Sequence, residues 1–128
     1  MAGDAPVPTN AELEILRYLW RDGPQTVSEL HREVLIDRAV GYTTVLKTLQ
    51  VMAEKGLVTR DESARSHVYR AAVPEGAVKK QLVADLVDRA FDGSAARLVM
   101  QALSTKRASP DDIRQIREML DRINRGAR

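Results

Sequence analysis

The chain has 128 residues, of which 44% are hydrophobic and 30% charged, with a formal net charge of +2 and no cysteine; that length fits one modest core or a small domain plus an assembly element. The composition excludes a disordered tail, a disulfide framework, thiolate metal sites and cysteine nucleophiles, and no run of about 18 apolar residues is present to span a bilayer. The opening MAGDAPVPTN has neither a basic start nor an apolar stretch, so no secretory leader is expected and a cytoplasmic setting is the default.

Beyond this loose start, TNAELEILRYLW reads as a first helix, with Thr9 and Glu12 in capping-box spacing and Leu13, Leu16 and Trp20 on one face. Asp22-Gly23-Pro24 stops it. A second capping box follows, Thr26 with Glu29, and Val27, Leu30 and Val34 supply the buried stripe of a shorter helix. A third helix is predicted from about Gly41–Thr43 to Gly56, whose left-handed tolerance suits a C-terminal cap, with Lys55 complementing the dipole before it. Val45, Leu49 and Met52 recur at i, i+4 and i+7, and Leu46 and Ala53 widen that stripe. Thr43, Thr44 and Lys47 then point away from the core, Tyr42 falls at its edge, and Val51 is exposed with no evident role. Two short segments rich in Val, Tyr and Thr, LVTRD and HVYRAAV, flank the polar ESARS and read as a hairpin.

From Pro74 the pattern is helical. AVKKQLVADLVDRAF carries Val78, Leu82 and Leu86, and GSAARLVMQALS, with Leu98, is a shorter apolar helix. The last helix starts at Ser109, with Pro110 in the favoured first position and Asp111 and Asp112 in the first turn. Ile113, Ile116, Leu120 and Ile123 repeat at 3, 4 and 3, a coiled-coil-like seam about one and a half heptads long.

Three helices followed by a hairpin is the order of a winged helix-turn-helix. The predicted fold class is mainly α: an N-terminal winged helix-turn-helix of three helices and a two- or three-stranded β-wing, residues 1–73, then a three-helix dimerisation domain, residues 74–128. Its third helix is expected to enter the major groove of DNA. Short hydroxyls at Thr43 and Thr44 permit close approach near the helix N-terminus, and Lys47 reaches a phosphate or guanine acceptors one turn later. Thr26, Tyr42 and Thr48 join them as candidates on the helices, and Arg60, Arg65, Ser66 and His67 in the wing. The bland alternative is that the threonines cap a helix and Lys47 sits on a solvated face. Bulk charge does not favour DNA, because residues 1–73 hold nine Lys/Arg against ten Asp/Glu. Locally, however, residues 38–70 hold six basic groups against three acidic ones, and a patch suffices to bind phosphates.

AELEILRYLW, TVSELHREV, YTTVLKTLQVMAEKGLV and RSHVYRAAV together, in this order and spacing, resemble the penicillinase repressors, the BlaI/MecI-type regulators; FDGSAARLVMQAL extends the likeness into the C-terminal half. The resemblance implies a homodimeric transcriptional repressor that binds palindromic operator DNA, with Leu82, Leu86, Leu98, Ile113, Ile116, Leu120 and Ile123 holding the protomers together. It also implies derepression by cleavage at an Asn-Phe bond, triggered by a membrane-bound zinc-protease sensor or its downstream protease. The equivalent bond here is Gln101–Ala102. Both side chains differ, so the same protease recognition does not carry over, and regulated cleavage nearby stays an expectation.

No enzyme is expected. His31 and His67 are far apart in the predicted fold and lack metal-ligand spacing, Asp111 and Asp112 are explained by the helix dipole, and the glycines are scattered. No cofactor is implied. The rival to DNA binding is a protein-interaction module that uses the same winged-helix shape, which the fold permits.

Overall fold

The structure, a computed structural model, describes residues 7–126. Helix α1, Asn10–Asp22, begins where Thr9 accepts from the Glu12 amide at 3.2 Å while the Glu12 carboxylate accepts from the Thr9 amide at 2.9 Å. Its core face is Ile15, Leu16 and Leu19. Leu13 and Trp20, expected on that face with Leu16, are only half-buried. The contact arc is rotated relative to the sequence reading because it must also accommodate Glu12, which is 3% exposed. Trp20 lies at the edge, where its indole N–H can donate to the Val73 carbonyl at 3.0 Å.

Gly23, at φ 83°, ends α1, and the next two residues form a strand, β1, Gln25–Thr26. Thr26 then caps α2, Val27–Asp37, through the second box: its hydroxyl accepts from the Glu29 amide and the Glu29 carboxylate accepts from the Thr26 amide. Val27, Leu30 and Val34 are buried, as their spacing requires. Helix α3, Tyr42–Lys55, buries Val45, Leu49 and Met52 and ends at Gly56, whose φ of 82° and ψ of 15° is the left-handed conformation. The Leu57 amide closes the helix end by donating to the Met52 carbonyl at 2.9 Å. Strands β2, Val58–Asp61, and β3, Val68–Ala71, make the wing. The sheet is antiparallel in the order β1-β3-β2, with Gln25 opposite Tyr69 and Val58 opposite Ala71. Helices and sheet share one core, centred on Leu16, Leu30, Leu49, Met52, Leu57 and Tyr69.

One long-range pair ties the ends of two helices together. Lys55, at the C-terminus of α3, donates to Glu12 Oε2 at 2.8 Å. Burial pushes the Glu12 carboxyl up, yet Lys55 and the bonds from Thr9 together outweigh it and hold the group below its ordinary value of 4.5.

The described chain divides into two compact units, one reaching Val83 and the other beginning at Ala84. The division lies inside α4, Glu75–Ala90, rather than at Pro74 where the sequence pattern changes. Val78, early in α4, is buried within the first unit. In the second unit, Asp92 and Gly93 turn the chain with positive φ and Ser94 caps α5, Ala95–Thr105. Helix α6, Pro110–Gly126, starts with a reciprocal pair in which Ser109 and Asp112 each bond the other's backbone amide at 3.0 Å. Neither α5 nor α6 has a buried residue in the single chain.

Because the folded Glu12 carboxyl titrates below its unfolded value, its contribution is complete above about pH 4.5 and is lost as the pH falls through the folded value. Denaturant unfolding should therefore show a stability loss on acidification that is shallower in Glu12→Gln. At pH 7 that substitution should cost about 1 kcal/mol, since Lys55, itself 34% exposed, loses its charged acceptor.

Candidate nucleic-acid interface

Helix α3 has one face committed to the core, and what remains is set by geometry. With Val45, Leu49 and Met52 inside, Tyr42, Thr43, Thr44 and Lys47 are exposed. The N-cap of α3 is Gly41, which makes no side-chain cap bond. Neither Thr43 nor Thr44 caps the helix, so the bland explanation for that threonine pair is not the one realised.

Two grooves flank this face. The first, about 240 Å³, lies between the start of α2, α3 and the wing, and its walls include Thr26, Ser28, Tyr42, Arg65, Ser66 and His67. The second, about 250 Å³, runs between the start of α1 and the far side of α3, and includes Thr9, Glu12, Thr44, Lys47, Thr48 and Val51. Eight of the ten sequence candidates line one or the other of these grooves, and Arg60 lines neither. Thr43 is exposed on α3 but lines neither groove.

The candidates differ in how free they are to bind. The Thr26 hydroxyl accepts from the Glu29 amide at 3.2 Å, so its first task is to cap α2. The Thr48 hydroxyl donates to the Thr44 carbonyl at 2.8 Å, a bond within the helix that leaves only its acceptor capacity outward. Arg60 pairs with Glu62 at 3.1 Å. Hydrogen bonding to Tyr69 first, and then to Glu62, raises its guanidinium above its ordinary value, and its strand partner is Tyr69, on the same side of the sheet. His67 Nε2 is 3.9 Å from a Glu62 oxygen. Of the six basic groups counted between residues 38 and 70, Arg38 pairs with Glu14, Lys55 with Glu12 and Arg60 with Glu62. Lys47, Arg65 and Arg70 have no ion pair among the described residues, and Lys47 and Arg65 line the two grooves. Free positive charge therefore sits where a polyanion could reach it, despite the balanced total.

The wing tip is ordered locally. Asp61 accepts from the Ser63 amide at 2.9 Å, and its bonds from Ser63 hold the carboxyl below its ordinary value. Arg65 and Ser66, just beyond, are exposed. The sequence reading missed several groove residues. Ser28 follows the Thr26 cap, and Thr9 meets α3 only through the tertiary fold. Gln50, three residues beyond Lys47, is exposed on α3 but lines neither groove. Val51, left without a role by the sequence, is 37% exposed and forms an apolar wall of the second groove.

The candidate dimerisation residues, Leu82 at the end of the first unit and the others in the second, have a different environment. Leu82, Leu98, Ile113 and Ile116 are half-buried, whereas Leu86, Leu120 and Ile123 are 48%, 58% and 57% exposed. Gln101 and Ala102 are exposed within α5, and both carbonyls accept hydrogen bonds from residues further along.

A family model described as penicillinase repressor matches residues 8–122. The transcriptional regulator BlaI of Mycobacterium tuberculosis is 29% identical over 116 residues, which cover 90% of this chain and 83% of the relative. Two solved structures share the fold. One is the monomeric form of Bacillus licheniformis BlaI in complex with the blaP half-operator, matching 58% of this chain and 90% of that one at a TM-score of 0.51 and 22% identity. The other is H. salinarum RosR, matching 96% and 99% at a TM-score of 0.52 and 20% identity.

The two threonine roles are separable by stability. Thr26→Ala should lower the unfolding free energy by about 1 kcal/mol, the usual cost of losing a capping hydroxyl. Thr43→Ala, on the exposed face, should stay within about 0.5 kcal/mol. Denaturant midpoints of the two variants check this.

Proposed function

The chain belongs to the penicillinase repressor family, and from that membership we propose that it is a dimeric transcriptional repressor that reads a palindromic operator with α3 and touches the flanking backbone with its wing. The observation that carries this reading is the pair of cations, Lys47 and Arg65, that have no ion pair among the described residues and line grooves on either side of the exposed Thr43–Thr44 turn. In a major groove, the short hydroxyls allow the helix to approach the base edges. Lys47 reaches a phosphate or guanine, and Arg65, Ser66 and His67 meet the neighbouring strand. Thr26 serves by holding the start of α2, whose first residues Val27 and Ser28 line the same groove.

Dimerisation is supported by the apolar stripe of α6. A row of isoleucine, leucine and methionine exposed on one helix is costly in water and is relieved by a second copy of the same surface. Two identical readers on one assembly require matching half-sites, usually about one helical turn or a multiple apart. No helix among the described residues is long and apolar enough to cross a membrane, and access to an operator places the protein in the cytoplasm. Derepression by cleavage, driven by a membrane-bound zinc-protease sensor or its downstream protease, is the remaining part of the proposal. Since Gln101–Ala102 lies in an exposed helix, a protease must first open that turn locally.

A mobility-shift titration against the duplex upstream of the protein's own gene tests DNA binding. Binding should exceed that to random duplex and weaken steeply with salt. No preference and no salt dependence would instead favour a winged-helix protein-interaction module. Lys47→Ala should weaken operator binding by roughly 1–3 kcal/mol if the lysine reads a base, or reduce the salt slope by about one if it meets a phosphate. Ile116→Asp or Leu120→Asp should shift sedimentation from dimer to monomer, because an unpaired carboxylate in an apolar seam is costly, and should lower operator affinity with it. An intact dimer in both variants would assign the interface to another surface.

A further inference from the structure

The first turn of α3 carries the proposed DNA-reading residues, yet its N-cap is Gly41, with no side chain to close it. The turn rests instead on a residue from the preceding helix. His31, in α2, places Nε2 2.7 Å from the Val40 carbonyl, immediately before the cap. Its ring meets the Tyr42 ring edge-on, with centroids 5.9 Å apart and planes at 87°, immediately after the cap. These two contacts straddle Gly41, whose carbonyl accepts from the Thr44 and Val45 amides at 3.1 and 3.2 Å. Since a carbonyl only accepts, Nε2 must carry the hydrogen.

We propose that His31 is a positioning residue for operator recognition: it closes the uncapped start of α3 from outside the helix and so sets where Tyr42, Thr43, Thr44 and Lys47 meet the bases. The inference rests on the DNA-binding reading above. His31 itself reads no base; it acts through the Val40 carbonyl and the Tyr42 ring. The physical reason is that a helix start lacking a capping side chain frays readily, and a frayed turn keeps its charge but loses its geometry. Loss of His31 should therefore erode discrimination between operator and random DNA rather than binding to DNA in general.

Three variants separate the contacts. His31→Ala removes both, His31→Gln keeps an N–H donor, and His31→Phe keeps only a ring. Binding of the full-length protein to the upstream duplex and to random duplex is measured alongside thermal unfolding and amide exchange. His31→Ala should lose about tenfold in operator affinity, the scale of one hydrogen bond, with random-duplex binding unchanged. Exchange should accelerate at Thr44 and Val45 but not at Leu49 or Met52. His31→Gln should recover most of the lost affinity and protection, and His31→Phe less. Equal loss on both duplexes, unchanged exchange at Thr44 and Val45, or a glutamine variant no better than alanine would overturn the assignment. If wild-type protein shows no preference for the upstream duplex, the DNA reading itself fails; the exchange measurements then still decide whether His31 orders the turn.

Discussion

The rotation of α3 about its own axis is set by Val45, Leu49 and Met52, each at most 3% exposed in the core. Everything else about the surface of the first unit depends on that constraint. Turning the helix by one residue, about 100°, would pull a leucine or a methionine into water, a change worth about 1.5–3 kcal/mol for each such side chain. The outward direction of Thr43, Thr44 and Lys47 is thus a consequence of burial on the opposite side. Leu57 and Tyr69, both essentially inaccessible, extend the same core into the wing, so the hairpin is held beside α3 by the packing that orients α3.

Electrostatics then distinguishes structural charges from available ones. Glu12 receives bonds from its own helix cap and from Lys55, and spends a lysine of α3 on joining two helix ends. Arg38 and Arg60 are likewise occupied by carboxylates. The remaining cations on the two grooves, Lys47 on α3 and Arg65 in the wing, are few, but each lines a groove beside the outward face of that helix. A domain with no net positive charge can meet a polyanion in this way, because the local field near the groove matters more than the total.

What could be read from the sequence follows how local each interaction is. The two capping boxes are spaced three residues apart and were legible, as were the buried stripes of α2 and α3 and the left-handed Gly56. Strand β1 was not, since two residues carry no period and its partner Tyr69 lies far along the chain. The Glu12–Lys55 pair and the Trp20–Val73 bond span 43 and 53 residues, beyond any pattern in a window. The candidate site divides in the same way. Outward direction on α3 was visible from its periodicity, whereas the commitment of Arg60 to Tyr69 and Glu62, the inward bond of Thr48, and the role of Val51 as a groove wall required the tertiary fold. His31 looked like an ordinary helix residue because its two partners lie across a turn.

In the proposed complex, the exposed turn of α3 and the tip of the wing act together on one DNA duplex. The most direct measurement is backbone chemical-shift mapping of labelled protein titrated with the duplex upstream of its own gene. The largest changes should fall on residues 42–47 and 63–67, with the buried positions of α3 following in smaller steps. Changes confined to the outer face of α2, or absent from α3 altogether, would contradict it.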